Sequence, residues 1–342
     1  MVDYKSVKIA IHHSPGSFSE RWIAYCEEKH IPYKIVNAYD SDIIKQVTDC
    51  TAFMWHHHHT NYKDALFAKQ LLYSLQIAGK KVFPDFNTTW HFDDKVGQKY
   101  LLESLGAPLV PSYVFYDRTS AMHWIEGASF PKVFKLRGGA GASNVRLINS
   151  IGEARKIINK SFGRGFSQYN AWGNLRERYR QYKLGKLSLC NVLKGVVRFF
   201  LPTDYAQMHG REKGYVYFQE FIPNNNFDIR VIVIDNKAFS IKRLCRENDF
   251  RASGSGYLRY DFEEQSEDCV RIAFDVNKRI HSQCIAFDFV FCNSIPMIVE
   301  ISYGFSMNAY DKCPGYWTND MQWHKGPFNP MGWQVENLLE SE

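Results

Sequence analysis

Residues 285–302 read IAFDFVFCNSIPMIVEIS, two apolar runs around a polar Asn293-Ser294, with one acid in each run, Asp288 and Glu300. The two acids stand six residues either side of Ser294, so a hairpin turn centred there sets them opposite one another. Directly opposed residues on one face of an antiparallel pair have Cβ atoms roughly 4.5–5.5 Å apart. Two carboxylates that close among Phe, Val and Ile repel, unless one takes up a proton or a cation lies between them. A hard cation held by one or two carboxylates plus substrate phosphates is the pattern of Mg²⁺, with Mn²⁺ as its alternative. A hairpin with one acid turned to solvent accounts for the same letters, so the neighbouring sequence has to decide.

Working outward, residues 215–221 (YVYFQEF), 227–234 and 237–244 alternate as strands, with a turn at Asn236. Asp228 and Arg230 lie in one of these strands, and Lys242-Arg243 end another among apolar neighbours. Residues 249–256 (DFRASGSG) form a polar loop with Arg251, and a helix over 266–281 leads into the opening hairpin. Charges projecting from adjacent apolar strands each cost several kcal/mol when buried without a partner. Packing alone does not explain the constellation.

Further upstream, Asp93-Asp94-Lys95 opens a helix that runs to about 105 and closes at Gly106. A strand at 113–116 and a helix over 120–126 follow. Then a strand ends in Lys135 and passes into Gly138-Gly139-Ala140-Gly141-Ala142-Ser143. Glycines let backbone amides approach phosphate oxygens, and a lysine supplies a compact charge. Lys135 precedes the glycines and no Gly-Lys-Ser/Thr follows, so this is not a P-loop; a tight packing turn fits the same residues. After a helix over 150–159, residues 162–213 read as an aromatic and basic insertion, including a rough helical repeat at 187–201. The stretch 176–201 suits an anionic membrane surface, an acidic substrate, or a solvated helical lid packing its apolar side on the core.

The N-terminal part alternates strands (7–11, 33–36, 52–55, 81–84) with helices (19–30, 42–48, 62–78), the pattern of a parallel α/β sheet. Ligands of such sheets lie at the carboxyl ends of strands, where His12-His13 and the histidine run 56–59 fall. That run lacks the spacing of a metal site; one or two of its rings lining a cleft, the others solvated, is the expectation.

The chain has 342 residues, enough for two or three domains, with 45% hydrophobic and 23% charged residues. Its net charge of +6 suits anionic ligands, and no nucleic-acid-binding signature accompanies it. Eight cysteines without a CxxC pair point to reduced thiols and a cytoplasmic setting. Neither a signal-peptide pattern nor a membrane-length apolar run is present.

In order, Asp94-Lys95, Phe130-Pro131 with Lys135 and its small-residue loop, Gln219-Glu220-Phe221-Ile222, Asp228-Ile229-Arg230, Lys242-Arg243, Asp249-Phe250-Arg251, Asp288 and Glu300 resemble the ATP-grasp superfamily. The ribosomal-protein glutamate ligases are nearest in pattern, with glutathione synthetase and D-alanine–D-alanine ligase more distant. The resemblance covers about 94–308 apart from the insertion.

It implies a mixed α/β and α+β ATP-grasp fold in which an N-terminal parallel α/β domain (1–92) precedes two lobes, 93–217 and 218–342, with ATP between them. It assigns Lys95, Lys135, Gly138, Gly139, Gly141 and Ser143 to the phosphates, Gln219, Glu220 and Phe221 to adenine, and Asp228 to the ribose. Lys242 would contact phosphate and, with Arg230 and Arg251, act in catalysis; Asp288, Glu300 and Ser302 would hold Mg²⁺. Ser302 stands where the family commonly has Asn, and Asn308 is a substitute oxygen. The implied activity is ATP-dependent joining of a small carboxylate to an amine through an acylphosphate. A phosphotransferase acting on a hydroxyl and a non-catalytic nucleotide-binding protein are the alternatives. Aromatics and histidines in the tail 310–333 suit either stacking on sugar rings or a tail folded back as core padding; with the basic insertion, the first reading extends the expectation to a carboxylated cell-envelope or polysaccharide precursor.

Overall fold

In the computed structural model, the structure describes residues 7–138, 144–167, 171–183, 185, 187–197, 208, 210–247, 249–260 and 264–340. The short apolar runs of the N-terminal part form strands β1 (Ile9–His12), β2 (Tyr33–Val36), β3 (Ala52–Trp55) and β4 (Lys81–Phe83). They pair in parallel in the order β2-β1-β3-β4. The two longer helices between them begin where polar side chains cap them: Ser17 accepts from the Ser19 amide before helix Phe18–Glu28, and Asn61 from the Lys63 amide before Tyr62–Ile77.

A second sheet contains β5 (Ser112–Phe115), β6 (Lys132–Lys135), β7 (Arg146–Ile148) and β10 (Val216–Glu220), antiparallel in the order β5-β10-β6-β7. β8 (Phe166–Ser167) and β9 (Arg211–Glu212) form a separate ribbon. One face of the second sheet packs Phe134, Val216 and Phe218 against Ala121, Ile125, Ala154, Ile157 and Ile158 of helices Arg118–Gly127 and Ile151–Ser161. The latter helix starts with reciprocal caps: Ser150 accepts from the Glu153 amide, while Glu153 accepts from the Asn149 amide.

The third sheet is antiparallel: β11 (Phe227–Ile234), β12 (Lys237–Leu244), β13 (Leu258–Arg259), β14 (Cys284–Cys292), β15 (Ile295–Ser302), β16 (Gly315–Thr318) and β17 (Trp323–Lys325). Its order is β15-β14-β11-β12-β16-β17, with β13 beside β12. Strand alternation gives it two faces. Ile229, Val231, Val233, Ile285 and Phe287 pack on helix Glu264–Ile280 through Cys269, Val270, Ala273 and Val276. Ile232, Ile234, Phe239, Ile241 and Ala286 share a core with Ile9, Ile11, Phe18, Trp22 and Met54 of the parallel sheet and its first helix.

The chain divides into two compact units, one of Met1–Phe92, Tyr100–Leu109 and Asn224–Glu342, the other of Asp93–Lys99 and Val110–Pro223. The fold is thus mixed α/β, a parallel four-stranded sheet joined to antiparallel sheets. The basic insertion contains two helices, Ala171–Lys183 and Leu189–Val197; the first has too weak an apolar repeat to be read from sequence.

The aromatic tail forms the hairpin β16–β17 and helix Pro330–Glu340, where Phe328, Trp333 and Tyr316 stack against Phe239 and one another. Gly315 is required there: a Cβ at this position would lie 2.1 Å from the His324 carbonyl oxygen. Gly315→Ala is therefore expected to destabilise the protein by about 1–3 kcal/mol, read as a lower urea midpoint. Among the described residues no helix is long and apolar enough to cross a membrane, and the eight cysteines are free thiols.

Candidate functional site

The hairpin β14–β15 turns through Asn293 and Ser294, both at positive φ (50° and 68°), with Cys292 paired to Ile295. Such two-residue turns suit the right-handed twist of the flanking strands. The turn is centred between the two residues, not on Ser294, so a regular ladder would miss the acid pair by one position. A bulge at Val299 restores it: Phe289 pairs with Ile298, whereas Asp288 pairs with Glu300. The same bulge explains why Ile298 and Ile301 both face the helix Glu264–Ile280, leaving Glu300 and Ser302 on the opposite face.

On that opposite face, the apolar stripes of β11, β12 and β14 end in charge. Ile232 and Ile234 are continued by Asp228 and Arg230, Ile241 by Arg243, and Ala286 by Asp288. The Arg243 guanidinium donates from Nε to Asp228 Oδ1 (2.7 Å) and from Nη2 to Asp228 Oδ2 (2.6 Å), and Nη2 also lies 3.0 Å from Asp288 Oδ2. Arg230 Nη1 is 3.2 Å from Asp288 Oδ1, while Nη2 donates to the Gly304 carbonyl at 3.2 Å. Burial pushes the Asp228 carboxyl up and the Arg243 guanidinium pulls it back. Burial also raises the Tyr310 phenol beside them, against Arg230 and Arg243.

Arg243 is the hub that sequence reasoning passed over as a flank of Lys242. The signal was present: a turn at Asp235-Asn236 pairs 228 with 243. Adjacent strand residues face opposite ways, so Lys242 does not join this cluster; its Nζ stands 3.9 Å from the Phe227 ring centroid on the other face. Arg251 folds back on its own loop, donating from Nε and Nη2 to the two Asp249 carboxylate oxygens at 2.8 and 2.9 Å. The Ser302 hydroxyl donates to the Gly304 carbonyl and accepts from its amide, each at 3.2 Å. Asn308 Oδ1 accepts from Arg21 at 3.3 Å.

The other unit carries its own set. Lys135 and Lys95 are both buried. The Lys95 amide donates to the Arg137 carbonyl (2.9 Å), tying the start of helix Lys95–Ser104 to the residues just after β6. Asp94 Oδ1 caps that helix start by accepting from the amides of Val96 and Gly97. Gln219 is paired with Val133 and therefore shares the Lys135 face of the sheet; its Nε2 donates to Ser112 Oγ at 3.0 Å. Glu220 points to the reverse face, where its carboxylate meets the buried Lys132 Nζ at 2.5 Å. Lys132 also lies 5.9 Å from the Trp124 ring; sequence reasoning missed it because Lys135 claimed attention. Phe221 is half-buried just beyond β10, and Gly138 just beyond β6. Gly139, Gly141 and Ser143 lie outside the described residues.

No protein-family model and no curated protein sequence matches this chain. Solved structures do match. A RimK domain ATP-grasp protein from Sphaerobacter thermophilus superposes with a TM-score of 0.59 at 13% identity, covering 97% of this chain and all of that one. The ATP-grasp ligase PsnB, complexed with a minimal precursor, gives 0.54 at 13% identity over 98% and 99% of the two chains. D-alanine–D-alanine ligase from Bacillus anthracis, complexed with ATP, gives 0.54 at 11% identity over 90% and 91%.

This chain has the ATP-grasp fold. At such identities the likeness speaks for the fold, and the chemistry rests on the residues. Within the ATP-grasp fold here, the histidine run is chiefly structural. His56 Nδ1 accepts from the Phe18 amide at 3.1 Å and its ring stacks on Phe18, centroids 3.7 Å apart. His57 Nε2 meets Thr89 Oγ1 at 2.8 Å, and its carbonyl accepts from the Tyr303 hydroxyl. His12 Nδ1 accepts from the Ala38 amide at 2.9 Å. Burial pushes the His12 imidazole down to about 4, His56 to about 3 and His57 well below the usual value. His58 is exposed. Among the described residues no group of three His, Cys, Asp or Glu is placed to hold a metal ion. The ATP-grasp sheet thus offers a cation two carboxylates at most, Asp288 and Glu300. All-oxygen donors in that number suit a hard cation whose remaining ligands are substrate phosphates and water.

Proposed function

We propose that this protein is an ATP-dependent ligase joining a small carboxylate to an amine. The observation that carries the reading is the opposed pair Asp288–Glu300 on one charged sheet face, in a chain with the ATP-grasp fold. The name of PsnB as an ATP-grasp ligase and the ATP complex of D-alanine–D-alanine ligase support it.

In this reading Lys95 and Lys135 hold phosphate oxygens, with the loop of Gly138, Gly139, Gly141 and Ser143 supplying amides. Gln219, the main chain at Glu220, and Phe221 meet the adenine. Asp228, whose oxygens both accept from Arg243, holds that guanidinium in place. Asp288 and Glu300 hold Mg²⁺, or Mn²⁺ in its place, and Ser302 adds an oxygen through the lone pair left to it. The bound cation supplies neutralisation of phosphate charge. The substrate carboxylate attacks the γ-phosphorus, ADP leaves, and the amine then displaces phosphate from the acylphosphate. Both steps build charge on oxygen, and Arg230 on this sheet face and Arg251 from the 249–256 loop are the cations that answer it; Lys242, on the other face, is left out of this role. Eight free thiols suit a reducing, cytoplasmic setting.

The acceptor in this reading is a carboxylated cell-envelope or polysaccharide precursor. The basic insertion supports it; the tail aromatics Tyr316, Phe328 and Trp333 are already packed on one another.

The test is release of ADP and phosphate with pooled carboxylates, uronic acids included, and pooled amines. Glu300→Gln is expected to lower turnover by roughly two to three orders of magnitude, as losing one element of transition-state charge stabilisation does. A phosphorylated acceptor without free phosphate would replace ligase by phosphotransferase; no turnover with any pool would leave nucleotide binding alone.

A further inference from the structure

We infer that the helical pair Ala171–Lys183 and Leu189–Val197 is a docking surface for an anionic lipid bilayer, a property independent of the ligase reading. Residues 171–197 contain six Lys and Arg against the single Glu177, a balance of +5 in a chain whose total is +6. Nearly all the net charge of the protein is therefore concentrated in one short segment.

The second helix has a defined inner side. A Cβ on Gly195 would stand 2.9 Å from Arg178 Cδ and 3.1 Å from Leu175 Cδ1, and Arg178 Nη1 donates to the Asn191 carbonyl at 3.0 Å. Gly195 is buried, and Asn191 and Val192 beside it are half-buried. The outer side holds Leu189, Leu193, Val196 and Val197, which are 42–58% exposed. At 3.6 residues per turn these four fall within an arc of about 100°. A soluble helix would turn such a stripe inward; here glycine and a polar contact occupy the inner side and the branched aliphatics face out.

The same helical pair carries exposed basic side chains, Arg176 and Lys183 on the first helix and Lys194 on the second. Tyr179 and Tyr182 are exposed with them. An exposed apolar stripe in a helical pair that also exposes cations and tyrosines is the composition of a segment lying in the plane of a headgroup layer, aliphatics down and basic groups at the phosphates. Nucleic acid would use the charge and leave the aliphatic stripe unexplained.

The experiment is co-sedimentation of the full chain with vesicles of phosphatidylcholine alone or mixed with phosphatidylglycerol. Retention on the mixed vesicles at low salt, release at high salt and little retention on phosphatidylcholine are expected. Leu193→Asp, at an exposed position, should lower partitioning by roughly ten-fold or more with the melting temperature unchanged. Lys183→Gln should lower it by roughly five-fold. No retention on anionic vesicles at low salt would overturn the inference. So would retention that Leu193→Asp leaves intact, or equal Leu193→Asp-insensitive binding to a duplex oligonucleotide.

Discussion

Arg243→Met is expected to destabilise the protein by roughly 3–5 kcal/mol, the usual loss when one partner of a buried ion pair is removed. Arg243 makes two short bonds to Asp228 and a third contact, 3.0 Å, to Asp288. Met fills much of the same volume, so the loss measures the stranded carboxylates and not a cavity. The larger share should fall on Asp228, because Asp288 keeps Arg230 at 3.2 Å. Urea unfolding at neutral pH checks the magnitude. In the variant the loss should shrink as pH falls, since a protonated Asp228 needs no counter-charge. Pairing Arg243→Met with Asp228→Asn should recover a substantial part. A single-variant loss below about 1 kcal/mol would mean that the cluster is solvated and adds little.

The second large effect is acid lability. His12, His56 and His57 are held neutral by burial, His12 down to about 4, His56 to about 3 and His57 well below the usual value. An unfolded chain binds their protons near the ordinary value of about 6.5. Below that pH the unfolded state carries protons the folded state refuses. The stability these groups permit is thus fully present above about 6.5 and lost as pH falls toward 4. Each contributes about 1.4 kcal/mol per pH unit within the window, so three together approach about 4 kcal/mol per unit.

Asp228, with its carboxyl raised by burial, acts in the opposite sense and offsets about one histidine's share. Urea midpoints across this range should fall steeply. His57→Gln, which keeps a side-chain donor for Thr89, should flatten the net slope by roughly half. A midpoint constant over the window would show that the rings titrate freely.

The amino-acid sequence by itself determined the strand periodicities, and with them much of the fold. The N-terminal alternation of short apolar runs and capped helices specified a parallel sheet, because each run is too short and too apolar to lie anywhere but under flanking helices. Alternation also put Asp228, Arg230 and Asp288 at the ends of stripes that are otherwise Ile and Ala, and it separates Lys242 from Arg243, since neighbouring residues on a strand cannot share a face.

Tertiary structure decided the rest. The register of Asp288 with Glu300 depends on a bulge at Val299, and a bulge answers to packing on both faces at once. The choice of Arg243 as hub needs three strands side by side. As letters the tail aromatics fit a ligand platform or core padding alike, and the packing of Phe328 and Trp333 on Phe239 decides for core. The histidine run reads as one or two cleft-lining rings with the others solvated, yet His56 and His57 are fixed by Phe18, Thr89 and Tyr303, residues far away along the chain. Periodicity is a local property that any stretch of sequence carries within itself. Which partner a charged or aromatic side chain meets is set by elements brought together only when the chain folds.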